Sequence, residues 1–227
     1  MPRRAWAIAL WAGTLLFAGA TALHPPLLDP AAARRELLVI AATPYYGALH
    51  WAIAAGELLM SLGLAGACAA VGPDATRPAG VAARVLLAAQ LALWLDVLID
   101  EALGMTALAA AYAQSRDAAV QAALLAVGRA HGGRDLLLGY VAASVLWMAG
   151  GIVCAAAAGR AAKGGSGGRL RARGAWPAAL ALAGLAAAAA HPPAALPILL
   201  ATQLPAGVAL LWLGWKVWQA TTPSRVP

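Results

Sequence analysis

Four carboxylates of this chain lie inside apolar segments that are long enough to cross a bilayer: Glu57, Asp96, Asp100 and Glu101. A charged side chain at the centre of a bilayer costs roughly 2.5–3.5 kcal/mol on insertion scales. Such residues therefore usually face a partner, water or a ligand instead of lipid. Buried carboxyl groups take up protons or pair with cations, and this is the chemistry that the four positions predict.

Spacing along the helices predicts which of these groups meet. His50 and Glu57 are seven residues apart and share one helical face. Asp96 and Asp100, four residues apart, share a face of the next segment. At about 1.5 Å per residue, His50 falls level with Asp100, and Glu57 falls level with Asp96. We expect two tiers of contact in an outward-facing polar pocket, with this lining: Glu57, Asp96, Asp100, Glu101, His50 and Gln203.

A second interpretation of the same acids needs no ligand. Protonated acids can donate hydrogen bonds in a buried clasp that only fixes the register of neighbouring helices. Adjacent carboxylates in a low dielectric do not all ionise together, which fits both interpretations. In either case the acidic third segment must be covered by neighbouring helices.

A repeated His-Pro-Pro sequence occurs at 24–26 and at 191–193. His24 and His191, together with His50, form a candidate metal site, because imidazole and carboxylate ligands suit zinc, copper or iron. A histidine followed by proline is also typical of an ordinary helix C-terminus, and the sequence contains no His-x-x-x-His pair. We therefore predict no cofactor and keep a metal or haem as the alternative.

Composition assigns the chain to the membrane class. Hydrophobic residues make up 63% of the sequence and charged residues 11%, against roughly 45–50% and about 25% in soluble domains. A soluble chain of 227 residues could not bury that much apolar surface in one core. The predicted fold class is all-α: a polytopic membrane protein in the form of a single six-helix bundle.

Six apolar segments of suitable length set the predicted spans. A helix needs about 20 residues to cross a ~30 Å hydrocarbon layer. The spans are predicted at 5–23, 47–71, 81–113, 134–159, 175–190 and 197–218. The segment 114–133 is predicted to be a long outer loop that carries an interfacial helix with Ser115 as N-cap. His131, in that loop, is expected to be in solvent.

Charge between the spans predicts the orientation. Most of the 16 Lys and Arg residues fall on the side that holds both termini, so both termini are predicted to be cytoplasmic in a bacterial inner (plasma) membrane. The basic, Gly-rich segment 160–174 is predicted to be a flexible cytoplasmic loop, not a nucleic-acid site. The lipid bilayer is the predicted partner, and the sequence says nothing of oligomeric state. Arg3-Arg4 before the first apolar segment, and Ala20-Thr21-Ala22 after it, also resemble a secretory signal peptide, although we favour a retained helix.

Several short motifs resemble a known family. They are Leu-Asp-Pro at 28–30, Glu-Leu-Leu-Met at 57–60, Arg-Asp at 134–135 and the apolar segment 205–216. Their order is similar to that of a bacterial six-span membrane family catalogued as domain-of-unknown-function family 4386. The third span departs from that family, which tends to carry an arginine and glutamate pair there. The resemblance implies a six-helix fold and no established activity.

Three functions follow from these patterns. The first is binding or transport of a small molecule or ion, coupled to protons, through the polar pocket. The second is a metal- or haem-dependent membrane enzyme or redox protein that uses His24, His50 and His191. The third is a non-catalytic subunit whose buried polar groups only fix packing. The residues favour a binding protein over an enzyme.

Overall fold

The computed structural model of the protein describes residues 3–25, 30–74, 76–161, 167–191 and 194–220. All regular structure in these ranges is helical, with no strand among them, which confirms the predicted all-α class. The eight α-helices are α1 (Arg3–Ala22), α2 (Ala33–Ala42), α3 (Tyr46–Val71), α4 (Pro78–Ile99), α5 (Thr106–Gln114), α6 (Ala118–Ala161), α7 (Gly167–Ala190) and α8 (Ala195–Gln219). A π-helical turn, Asp100–Met105, joins α4 to α5 without a break.

Five helical stretches are long and apolar enough to cross a bilayer. They are Arg4–Ala22, Tyr46–Val71, Pro78–Gln114, Ala118–Ala161 and Pro197–Gln219. The apolar part of α7, Gly174–Ala190, is shorter than these five. The described chain therefore has the length and hydropathy of a multi-pass membrane protein.

The five long helical stretches and α7 pack as a closed ring in chain order. α1 contacts α3, then α4, α6, α7 and α8 follow in turn, and α8 returns to α1. The guanidinium of Arg4, near the start of α1, lies 4.9 Å from the ring centroid of Trp218, near the end of α8. The start of α1 and the end of α8 therefore lie at one end of the ring, the Lys216 end. The opposite end, the His24 end, carries α2 and α5.

Glycine permits a very close approach of α1 to α3. A Cβ atom added at Gly63 would lie 2.6 Å from Leu10 Cα, and one added at Gly56 would lie 2.7 Å from the backbone nitrogen of Phe17. Leu10 is completely buried in the main core cluster. Small residues at such contacts let two backbones pack directly, as is common between membrane helices.

The helix predicted within 114–133 is present, but the outer loop is wrong, because this helix is the first part of α6, which runs unbroken from Ala118 to Ala161. The helix contains no proline, and Asp117, instead of the predicted Ser115, caps it: its carboxylate accepts the N–H groups of Ala119 and Val120 at 2.7 and 3.2 Å. At 1.5 Å per residue α6 is about 66 Å long, twice a ~30 Å hydrocarbon layer.

The first half of α6 packs on a second small core at the His24 end. Leu124 and Leu125 of α6 lie against a cluster of buried side chains from α2, α3 and the segment 100–114. The members of this cluster are Leu37, Ile40, Tyr46, Met105, Ala109 and Tyr112. The polar residues of the π-helical turn are thus held between this core and the ring.

The predicted flexible loop 160–174 is also shorter than expected. Helix α7 begins at Gly167, and residues 162–166 lie outside the described residues. Glycine permits helix even though it disfavours it by about 1 kcal/mol relative to alanine, so a Gly-rich composition overstates the loop.

Candidate functional site

The π-helical turn directs two neighbouring acids to different helices. Tyr46 of α3 donates its hydroxyl hydrogen to Glu101 Oε2 at 2.5 Å. His131 of α6 donates from Nδ1 to Asp100 Oδ2 at 2.9 Å. A Cβ atom added at Gly104 would lie 2.5 Å from Asp100 Oδ1, so the glycine leaves room for that carboxylate. Wide turns of this kind often mark functional positions in helices.

Arg134 connects the acids on the α6 side. Its guanidinium donates to Asp135 Oδ1 at 2.8 Å and forms an ion pair with Asp96, and it lies 3.9 Å from Asp100 Oδ2. We call this group of six residues the acidic layer: Asp96, Asp100, Glu101, Asp135, His131 and Arg134. Three of the four carboxyl groups thus share one guanidinium and one imidazole, and the fourth, Glu101, binds the Tyr46 hydroxyl.

Asp135 is the most buried member of the acidic layer, with only 3% of its surface exposed. Its Oδ1 atom lies 2.8 Å from Arg134 Nη1, and Asp100 Oδ2 lies 3.9 Å from the same nitrogen, so the two carboxyl groups are neighbours. The Oδ2 atom of Asp135 receives no hydrogen bond from the described residues. Two neighbouring carboxyl groups repel when both are ionised, which favours one proton on the pair.

A second polar cluster lies deeper in the ring, between α3 and α4. The Ser61 hydroxyl donates to Glu57 Oε1 at 3.1 Å and accepts a hydrogen bond from Gln90 Nε2 at 2.5 Å. Glu57 and Gln90 are completely buried, and one oxygen of each, Oε2 and Oε1, has no described partner. Seven residues separate His50 from Glu57, about 10 Å along α3. Ile53 belongs to an apolar cluster that fills this interval.

Two histidines pack against each other at the His24 end. The Nε2 atoms of His24 and His50 are 3.2 Å apart, and the ring centroids are 4.9 Å apart at an interplanar angle of 78°. The ring of Tyr46 lies 4.4 Å from that of His50. His50 is buried, with 3% exposed, and burial lowers the pKa of His24 from its ordinary value of 6.5.

The structure separates the predicted pocket residues into different environments. The predicted tiers are wrong: His50 meets His24 instead of Asp100, and Glu57 meets Ser61 instead of Asp96. Asp96 has an exposed side chain beside Arg134. Helix α4 has neighbours on two sides, α3 and α6, and the faces of Asp96 and Asp100 turn to α6.

Gln203 does not line the predicted pocket. Its Nε2 atom donates to the backbone carbonyl of Ala181 at 3.2 Å, which joins α8 to α7. The same pair of helices packs closely at Gly184, where an added Cβ atom would overlap the side chain of Thr202.

The predicted three-histidine site is not assembled. His191 is exposed just beyond the end of α7. Among the described residues, no group of three or more His, Cys, Asp or Glu side chains is arranged to hold a metal ion. His131, predicted to be in solvent, has 43% of its side chain exposed, but its imidazole also pairs with Asp100.

Sequence reasoning missed Asp135, Ser61 and Gln90 as members of polar clusters. Asp135 stands at the start of a predicted span, where an acid looks like a helix end. The signal that could have placed it is the absence of a helix breaker between 118 and 134, which extends α6 past it. Gln90 could have been recognised from the sequence, because it is a polar amide within an apolar segment.

A groove of about 560 Å³ lies at the His24 end between α2 and α6, away from the predicted pocket residues. Arg34, Arg35 and Arg129 line it, together with apolar side chains such as Leu38. Within the described part of the chain these three arginines form no ion pair. The groove is therefore electropositive, in contrast to the acidic layer.

The chain is matched by no protein-family model, by no curated protein and by no solved structure. The candidate function therefore rests on the chemistry of the acidic layer itself.

Proposed function

We propose that the protein is a six-span membrane protein that binds protons and a small cation at the acidic layer. The observation that carries this proposal is that Asp100 and Asp135 share one nitrogen of Arg134, while Asp135 is buried and its Oδ2 atom has no partner among the described residues. A carboxyl oxygen that is buried without a donor is costly, and a proton or a cation removes that cost.

The six-span topology includes α7 as the short span. Its apolar part, Gly174–Ala190, is about 25 Å long, near the ~30 Å of the hydrocarbon layer. The contact between Arg4 and Trp218 supports an even number of crossings, because it joins the two ends of the chain. The basic residues of the Lys216 end make that end the cytoplasmic one in an inner (plasma) membrane. The resemblance to family 4386 predicts the same six-helix fold.

A cation is favoured over an anion by the charge of the acidic layer. With these carboxyl groups ionised and His131 neutral, the three negative charges of Asp96, Asp100 and Asp135 face the single positive charge of Arg134. Carboxylates at the edge of a low-dielectric region require counter-charge, which Arg134 supplies only in part. A cation that enters the layer competes with the shared proton of Asp100 and Asp135, and the two binding events are linked.

Proton release on cation binding tests this proposal. Purified protein in weakly buffered detergent solution would be mixed with sodium, guanidinium or tetramethylammonium chloride while a pH indicator records released protons. We expect saturable release by at least one of these cations. The substitutions Asp100→Asn and Asp135→Asn should each abolish it, because neither amide can share a titrating proton with the remaining carboxyl group.

The matched control is Asp117→Asn. Asp117 is an exposed acid that caps α6, 14 residues before His131 of the acidic layer. This variant should release protons as the parent protein does, since an Asn side chain still caps α6. Loss of release in the control, or saturable release that survives in both layer variants, would contradict the proposal. Size-exclusion elution and helical circular dichroism confirm that the variants are folded.

A further inference from the structure

His24 and His50 each use one ring nitrogen on a backbone carbonyl. His24 Nδ1 lies in hydrogen-bonding contact with the carbonyl oxygen of Pro25, and His50 Nδ1 lies 3.0 Å from that of Tyr46. A carbonyl oxygen only accepts hydrogen bonds, so each Nδ1 must carry the hydrogen. In a neutral imidazole the other nitrogen, Nε2, then carries a lone pair.

The two Nε2 atoms with lone pairs face each other at 3.2 Å. Two acceptors at hydrogen-bond distance repel unless a positive centre lies between them. A proton could fill that place only if one ring became charged or gave up its bond to the carbonyl. Burial opposes a charged imidazole here, because the His50 ring is only 3% exposed.

We propose that His24 and His50 bind one divalent transition-metal ion, with Zn²⁺ the best fit, through their Nε2 atoms. A zinc–nitrogen bond is about 2.0–2.1 Å long, and two tetrahedral ligands place their nitrogens about 3.3 Å apart. The observed separation of 3.2 Å matches this value. Neutral imidazole is the form that coordinates a metal, and the donated Nδ1–H bonds fix the rings in the way typical of metal-bound histidines.

The site has two ligands from the described part of the chain, and the remaining metal positions go to water or to a ligand from solution. Tyr46 supports the site from behind, because its carbonyl orients His50 while its hydroxyl binds Glu101. The metal site therefore borders the acidic layer but does not rest on the function proposed for it.

Metal titration of tag-free protein tests the inference. Protein stripped with a chelator and dialysed in detergent would be titrated with Co²⁺, whose visible absorption reports nitrogen ligands, and then with Zn²⁺ as competitor. We expect one equivalent per chain by elemental analysis. His24→Ala and His50→Ala should each weaken binding at least about tenfold, because each removes a direct ligand. His191→Ala, which removes an exposed histidine at the same end of the bundle, should bind as the parent does.

Two further measurements keep the result decisive if His50→Ala does not fold. His24→Gln changes only the less buried ring, and it should weaken binding by a similar factor while the protein stays monodisperse. Bound Zn²⁺ should also protect His24, but not His191, from modification by diethyl pyrocarbonate. Affinity unchanged in both His24 variants would overturn the inference. The inference would also be overturned if His24 and His50 took up protons but bound no metal in a saturable way.

Discussion

Tyr46 donates a hydrogen bond to Glu101 at 2.5 Å, which ties the first turn of α3 to the π-helical turn of the third span. Tyr46 is 1% exposed, so water does not replace the bond when it is lost. We expect Tyr46→Phe to lower the free energy of unfolding by about 1–3 kcal/mol, the cost of an unpaired buried partner. Denaturant unfolding in detergent measures this loss. The control is Tyr45→Phe, at a neighbouring position that is 55% exposed, and an equal loss there would contradict the argument.

Arg134 holds the acidic layer together. Its removal should destabilise the protein mainly because the carboxylates that it pairs with lose their counter-charge. Arg134→Gln leaves buried Asp135 beside Asp100 without a nearby guanidinium, so the thermal midpoint in detergent should fall. Adding Asp135→Asn to this variant should restore much of the midpoint, since one of the repelling charges is then gone. Arg129→Gln, at an exposed position on the same helix, should leave the midpoint unchanged. Additive losses in the double variant would contradict a shared electrostatic origin.

The close contact of α1 with α3 predicts a strong effect of very small substitutions. Gly63→Ala places a methyl group 2.6 Å from Leu10 Cα, a backbone atom that cannot move aside. We expect a loss of about 1–3 kcal/mol or more, as for other overpacked cores, with separation of α1 as the first event. Gly19→Ala is the matched control, because nothing lies within 4 Å of its added Cβ. Proteolytic sensitivity of α1 and thermal unfolding measure both variants, and equal behaviour would exclude the tight helix contact.

Acid should destabilise the protein through His24. Burial lowers the pKa of this imidazole below its ordinary 6.5, so the unfolded chain holds more protons than the folded chain between the folded-state pKa and 6.5. The stabilisation that neutral His24 provides is therefore complete above pH 6.5. The free energy of unfolding falls as the pH drops from 6.5 to the folded-state pKa. In metal-free solution, His24→Gln should reduce this pH dependence, and His191→Gln should not. A slope unaffected by His24→Gln would show that other groups cause it.

Hydropathy and composition were sufficient to predict the helical membrane class. The starts of α3 and α8 differ from the predicted spans by one or two residues, because apolar length directly reflects the lipid layer. The end of the third span, predicted at 113, also agrees with the end of α5 at Gln114, but the π-helical turn inside the span adds no signal to the apolar pattern. The first half of α6 was read as a loop because its polarity is mixed, yet a mixed surface suits a helix that leaves the bilayer and packs on α2 and α5.

The site was harder to predict because spacing tells which residues share a face but not which neighbour covers it. Asp100 and Glu101 were expected to face one pocket, whereas the π-helical turn directs one to His131 and the other to Tyr46. Depth counting placed His50 correctly near the His24 end, but its partner is His24, from a segment outside the counted pair. The pairing depends on the order of helices around the ring, which no local pattern contains.

Glu57 offers the sharpest separation of a packing role from a charge role in the deeper cluster. Glu57→Gln keeps an oxygen that can accept from Ser61 and adds an amide that can donate to Gln90 Oε1, which has no described donor. We expect the free energy of unfolding to stay within about 1 kcal/mol of the parent or to rise. Glu57→Leu instead leaves the buried Ser61 hydroxyl without its acceptor and should cost about 1–3 kcal/mol. If unfolding in detergent shows equal losses for both variants, the ionised carboxylate itself holds the cluster together.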